Sequence, residues 1–287
     1  MKLIEPSVEI LEQSSGLNGI YKQIELAGRT CYKSEENMTD DSAKGFVDRM
    51  IKSGHNAMLE HGTVYLKYPA YRDGWINKYF SNKYSKVKYI EPKLIDENDY
   101  YLVTTNYRVL VENNWLDDLQ YLCEPTEYHE KRITTKFIMD RIGSQSFCRH
   151  RVFSFAQEST RYCNYSKDKF GNELTFIIPS NTKILPFDCE PNVMSQNQIL
   201  LAKDTDSSLN YLQALQSCEL EYFQLLNKGW KPQEARSILP NCLKTELVMT
   251  GFESDYTHFF ELRCAKTAHP DMQVLANKLK ESVDEKK

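Results

Sequence analysis

The sequence has no C-x-x-C pair, no internal repeat, no low-complexity tract, no basic excess and no long apolar run. Each absence excludes a class of protein. The eight cysteines, Cys31, Cys123, Cys148, Cys163, Cys189, Cys218, Cys242 and Cys264, lack zinc-ribbon and disulfide-framework spacing and are expected to be reduced, mostly buried thiols. No window reaches the roughly eighteen uninterrupted apolar residues of a membrane span. The start M-K-L-I-E-P-S-V-E-I carries an early acid and a proline where a signal peptide has its apolar core, so a soluble, cytoplasmic protein is expected. A net charge of -4 and a pI near 5.9 argue against a general nucleic-acid or membrane binder. Any basic site here is local. With 287 residues the chain can bury a sizeable core, as one large domain or two small ones.

Against that background, R-H-R-V-F-S-F-A-Q-E-S-T-R-Y at residues 149–162 concentrates Arg149, His150, Arg151 and Arg161. Guanidiniums this close repel one another unless phosphate, carboxylate or an aromatic face compensates them. A solvated basic turn is the plainer reading. Phe153, Phe155 and Tyr162 in the same stretch suit a binding site better than a solvated turn.

Periodicity alternates between helix and strand along the chain. Leu3, Val8, Ile10 and Leu11 around Pro6 predict an N-terminal strand, and Ile20, Ile24 and Ala27 the apolar side of a first helix. Thr39 to Asp41 offers N-cap oxygens to a second helix, with Phe46, Val47, Met50 and Ile51 as its stripe and Gly54 as its stop. Strands are predicted at residues 63–68, 101–104 and 132–138 and along Leu243, Thr245, Leu247 and Met249. Helices are predicted around Trp115 to Leu122 and from about Asp206 to Asn227, the latter with Leu212, Leu215, Tyr222, Leu225 and Leu226 inward, and a short helix or turn over Ile142 to Cys148. A short helix carries Arg236 toward Pro240, Ser254 or Asp255 can cap a helix bearing Phe259, Leu262 and Arg263, and Pro270 opens a final helix. The charged end E-S-V-D-E-K-K is expected to fray. The tyrosines of residues 70–131 read as packing and rim residues.

Three other constellations have both a chemical role and a plainer one. His55, Glu60 and His61 could ligate metal, but H-x5-H is not a metal spacing, and a structural or ligand-facing histidine fits better. Ser159 could be a nucleophile, yet no G-x-S-x-G elbow surrounds it, which leaves a hydroxyl donor to an anion. Arg263 follows Phe259 by four residues, where an arginine can also simply snorkel to water.

Together these residues resemble the flavin-dependent thymidylate synthases. Arg149-His150-Arg151 followed after seven residues by Ser159 matches that family's R-H-R-x7-S signature, continued by S-T-R-Y. H-N-A-M-L-E-H (55–61) resembles its upstream H-x5-H element, A-G-R-T-C-Y (27–32) its N-terminal loop, A-R-S-I-L-P (235–240) its A-R-x-x-L-P element, and H-F-F-E-L-R (258–263) its late helix. The likeness covers residues 27–61 and 132–280, with 70–131 an elongation absent from compact members.

The resemblance implies an α/β (α+β) fold, a mostly antiparallel sheet flanked by helices, with residues 1–287 as a single catalytic domain. It implies methylation of dUMP to dTMP with methylenetetrahydrofolate as carbon donor and a hydride from FAD reduced by NADPH, in a homotetramer with shared active sites and no metal. By resemblance His55, Ala57, Arg149, His150, Arg151 and His258 lie at FAD. Gln157, Glu158, Ser159, Thr160 and Arg161 hold the dUMP of a neighbouring subunit, and Arg236 adds a contact. Arg263 matches the activating arginine, whose guanidinium favours N3-deprotonated uracil and needs no covalent protein nucleophile. Ala57 replaces the usual Ser or Thr, which removes a side-chain hydrogen bond to flavin. Ser146 replaces the usual Gln or Glu, and G-F-E-S (251–254) lacks the Asn and Arg that some members place on FAD. Two rival readings are a nucleic-acid-binding module, which the acidic balance disfavours, and a flavoprotein without synthase chemistry, which the intact Arg263 disfavours.

Overall fold

The computed structural model describes residues 1–70, 73–91, 99–180, 182, 184, 187–188 and 205–285. Helices and antiparallel strands are mixed, as the fold class requires. The strands are β1 (Lys2–Ile4), β2 (Ser7–Leu11), β3 (Thr63–Pro69), β4 (Lys86–Ile90), β5 (Tyr100–Asn106), β6 (Arg132–Asp140), β7 (Ser154–Gln157), β8 (Thr175–Ile177), β9 (Phe187–Asp188) and β10 (Lys244–Phe252). The helices are α1 (Gly16–Tyr32), α2 (Ser42–Lys52), α3 (Asp73–Phe80), α4 (Tyr107–Glu112), α5 (Arg141–Phe147), α6 (Thr205–Asn227), α7 (Pro232–Ala235), α8 (Glu253–Arg263) and α9 (Pro270–Asp284).

The sheet that positions the site has the order β2-β6-β10-β7, with every neighbour antiparallel. Because side chains alternate across a strand, its two faces differ. Leu247 and Met249 of β10 and Phe137 and Met139 of β6 pack with Phe147, Phe153, Tyr256, Phe259, Met272, Leu275 and Leu279, so α8 and α9 cover one face. Full burial of a side chain such as Phe259 stabilises the fold by roughly 1.5–3 kcal/mol. Gly251 lies on this face because an added Cβ would stand 2.3 Å from the Phe153 ring. On the other face Val248 and Ala156 pack with Ala27 of α1.

A second antiparallel sheet, β3-β5-β4, lies within the stretch read as an elongation, extended by β3 on its N-terminal side. Its inner residues Val64, Leu66, Tyr68 and Val103 share a core with Ile20, Ile24 and Val47 of α1 and α2. Tyr68, Tyr79, Tyr100 and Tyr107 are buried, while Tyr84 and Tyr89 are exposed, so the tyrosines divide into packing and rim residues. In the third sheet β8 pairs parallel and β9 antiparallel to β1, and α6 packs nearby through Leu212, Leu215 and Tyr222.

Several expectations need correction. The N-terminal strand is two strands in two sheets, because Pro6 cannot donate to a ladder and the chain changes partner there. Residues 27–32 are not a loop but the last turns of α1, which ends where Lys33 takes a left-handed conformation (φ 48°). Leu116–Tyr121 is a 3-10 helix. Helix α2 has Asp41 at its N-cap without a side-chain cap bond, and α8 begins after Phe252. The end does not fray before Asp284, since Val283 is buried. The free cysteines are mostly half-buried, with only Cys163 buried, and Cys189 lies outside the described residues.

Candidate functional site

The four residues of β7 separate two clusters. At its N-terminal end, helix α5 is capped by Asp140, whose carboxylate accepts from the Gly143 N–H at 2.8 Å, and it delivers Arg149, His150 and Arg151 into the following turn. Phe147 and Phe153 anchor that turn in the core, and His150 is buried with its ring 5.1 Å from Phe259 and 6.3 Å from Phe153, while Arg149 and Arg151 are exposed. From α8, the Arg263 Nε donates to His150 Nε2 at 2.9 Å and its Nη2 donates to the Ser146 carbonyl at 2.6 Å. His150 Nε2 is therefore a lone-pair acceptor and its ring is neutral. Burial first, then the charges of Arg263 and His258, lower the His150 pKa to about 4. Burial and neighbouring Arg149 likewise lower the Arg263 pKa. His258 is exposed, with its ring 6.4 Å from His150 and its Nδ1 3.3 Å from Glu261.

At the other end of β7 lie Gln157 to Arg161. Gln157 Nε2 donates to Ser144 Oγ at 2.7 Å and to Thr245 Oγ1 at 3.2 Å, which ties β7 to α5 and β10. Strand pairing sets Gln157 opposite Leu247, and the Glu158 N–H continues it by donating to the Glu246 carbonyl at 2.9 Å. Glu158 and Glu246 thus become cross-strand neighbours, an arrangement in which like charges destabilise a sheet. Lysines resolve the conflict. Glu246 pairs with Lys33 at 2.7 Å, Lys136 at 2.8 Å and Lys244 at 2.5 Å, and Lys244 also reaches Glu158 at 3.0 Å. Burial would raise the Glu246 pKa, but the charge of Lys244 and the hydrogen bonds from all three lysines hold it well below the carboxylate range. Glu158 also accepts from the Tyr165 hydroxyl at 3.0 Å. Ser159 Oγ accepts from the Arg161 N–H at 3.3 Å, and Arg236 Nη1 donates to Thr160 Oγ1 at 3.3 Å.

The fold therefore brings Arg149, His150, Arg263 and His258 to one end of β7 and residues 157–161 with Arg236 to the other. It does not bring His55 and Ala57 into either cluster. Both are exposed at the start of the 3-10 turn Asn56–His61, with no side-chain contact to Arg149, His150 or Arg151 among the described residues. Glu60 and His61, the other two residues of that candidate metal set, are engaged elsewhere. Glu60 pairs with Arg108, and buried His61 Nδ1 lies 2.8 Å from Thr250 Oγ1. Sequence reasoning missed the lysine–glutamate network. The K-T-E alternation at 244–246, with Lys136 on the neighbouring strand, was its available signal. A cleft of about 880 Å³ opens elsewhere, between residues 10–16, Arg132 and the first turn of α8, and none of the expected site residues lines it.

The sequence model of the family described as "Thymidylate synthase complementing protein" matches residues 126–286. A protein from Geobacter sulfurreducens described as "Flavin-dependent thymidylate synthase" is 26% identical over 138 residues, covering 48% of this chain and 50% of that protein. One from Pyrococcus furiosus with the same description is 26% identical over 143 residues, 50% of each chain, so the match spans about half the length of these relatives. One from Corynebacterium aurimucosum, also so described, is 23% identical over 257 residues, covering 88% of this chain and 71% of that protein. Among solved structures, a UMP/dUMP methylase PolB from Streptomyces cacaoi bound with 5-Br dUMP has a TM-score of 0.44 at 15% identity, over 99% of this chain and 93% of that one.

Proposed function

The chain belongs to the thymidylate synthase complementing protein family, and from that premise we propose that it is a flavin-dependent thymidylate synthase that methylates dUMP to dTMP. One observation carries the reading: the Arg263 guanidinium, from a helix 113 residues further along the chain, is locked onto His150 of the R-H-R triplet. Nε and Nη2 are fixed by His150 and by the Ser146 carbonyl, which leaves Nη1 to meet a substrate. A guanidinium aimed at uracil favours its N3-deprotonated form and raises electron density at C5.

The residues present suit FAD. Arg149 and Arg151 are exposed and have no carboxylate partner among the described residues, a fit for a dinucleotide's diphosphate. His150 presents a neutral ring beside them and His258 an exposed one. When bound, FAD reduced by NADPH supplies the hydride, with methylenetetrahydrofolate as the carbon donor. The protein residues bind and orient: Arg149 and Arg151 hold anionic groups, His150 holds Arg263 in place, and Gln157 to Arg161 with Arg236 hold dUMP. Ser159 serves as a hydroxyl ligand to the nucleotide. Shared active sites in a homotetramer accord with the exposure of His55, Ala57, Arg149, Arg151, Arg161, Arg236 and His258, which a neighbouring subunit would cover. Residues 1–287 then form a single catalytic domain.

The test is to purify the full chain, record its visible spectrum and follow tritium release from C5-tritiated dUMP with methylenetetrahydrofolate and NADPH. A yellow protein with dUMP-dependent release is expected. A colourless protein that binds single-stranded RNA overturns the proposal, and a yellow one without release makes this a flavoprotein lacking synthase chemistry.

A further inference from the structure

Arg141 opens α5 directly after β6 and is half-buried. Its backbone N–H is held by the Asn241 and Leu243 carbonyls, and its carbonyl accepts from Ser144 Oγ at 2.7 Å, so its Cα is fixed from both sides. The side chain turns toward the nucleotide segment, where Nη1 donates to the Glu158 carbonyl at 3.4 Å. Two residues further on, Thr160 Oγ1 receives Arg236 at 3.3 Å. The backbone between these two acceptors spans no more than about 7–8 Å, so both guanidiniums border the same short segment.

Neither guanidinium is neutralised there. A carbonyl and a hydroxyl accept hydrogen bonds but carry no charge, and neither arginine has a carboxylate partner among the described residues. The nearby carboxylates are already committed. Glu158 is held by Lys244 and Tyr165, and Glu246 by Lys33, Lys136 and Lys244. The lysines therefore absorb the acids of this region, and Arg141, Arg161 and Arg236 are left as its uncompensated charges. A planar guanidinium fork without an acid matches a phosphate monoester, which accepts two parallel N–H bonds.

Resting on the reading of residues 157–161 as the nucleotide segment, we infer that Arg141, to which the family resemblance gives no role, is a further binding residue for the phosphate of the substrate nucleotide. The test uses the flavin-loaded full chain and measures the dissociation constants of dUMP and of deoxyuridine, which lacks the phosphate, by calorimetry. Arg141→Gln is expected to weaken dUMP by about ten- to a hundred-fold and to leave deoxyuridine within about two-fold. Arg141→Lys keeps the charge without the fork and is expected to recover part of the loss. It also carries the test if Arg141→Gln fails to hold flavin. Equal weakening of both ligands, or unchanged dUMP binding in both variants, overturns the role of Arg141 and leaves the nucleotide reading intact. A wild-type protein that does not prefer dUMP to deoxyuridine overturns that reading, and this inference with it.

Discussion

The two faces of the β2-β6-β10-β7 sheet handle charge in opposite ways. Beneath α8 and α9 the face is largely apolar, with Gln157 bonded to Ser144 and Thr245 at one end and an arginine resting on a neutral histidine at the other. Beneath α1 the same strands turn Lys136, Lys244 and Glu246 into a nearly closed ionic network that reaches Lys33 at the end of that helix. The first arrangement leaves a cation unneutralised; the second removes acids from competition. Both yield free guanidiniums, one by withholding carboxylates and the other by occupying them. A charged group at a binding site is thus prepared as much by what its neighbours are bound to as by its own identity.

The comparison breaks most sharply at Arg263. Arg263→Ala is expected to cut turnover by about a thousand-fold or more while the flavin absorbance stays; loss of flavin would reassign the residue to cofactor binding. On the opposite face Glu246→Leu leaves Lys33, Lys136 and Lys244 without their shared acid. The expected cost is about 3 kcal/mol in urea unfolding, and an unchanged midpoint would show that water already screens the network.

Acid acts on the fold in two pH ranges. The folded state keeps His150 neutral with a pKa lowered to about 4, whereas the unfolded chain takes up that proton near pH 6.5. Its contribution is complete above about pH 6.5 and declines as pH falls toward 4. Glu246, whose pKa is depressed, keeps its contribution down to the ordinary carboxylate range near about pH 4.3 and loses it only below. Stability against pH is therefore expected to fall in two stages, and His150→Gln to shrink the first without abolishing it, because buried His61 and His129 also have lowered pKa values, as read by thermal melts from pH 7 to 3. The smallest effect is expected at the link between the clusters. Ser144→Ala deletes one acceptor of Gln157 and should cost about 1 kcal/mol, measurable by chemical denaturation.

Most of the helices were legible because their stripes are long: Ile20, Ile24 and Ala27, or Leu212, Leu215 and Tyr222, repeat over several turns and are buried. Strand β7 was not, because Ser154 and Ala156 face inward with little side chain and only four residues express the alternation. Strands β8 and β9 are shorter still. The break at Pro6 was visible as a proline but not as a change of sheet, since partner choice depends on residues 137 and 176, far along the chain. At the site, the arginines and His150 could be read as types in a pattern. That Arg263 would meet His150, and that Lys33 at the end of α1 would share Glu246 with two strands, depended on packing angles that no local pattern encodes.

Strand β10 acts as a ruler for the whole arrangement. It carries Lys244 and Glu246 near its start, pairs with β7 along its middle and passes straight into the helix that bears Arg263. A single inserted residue would exchange its faces, driving Glu246 into the aromatic core and Leu247 among the lysines. Both residue clusters would go out of step together, so the spacing between them is a fixed length that loop changes elsewhere leave untouched.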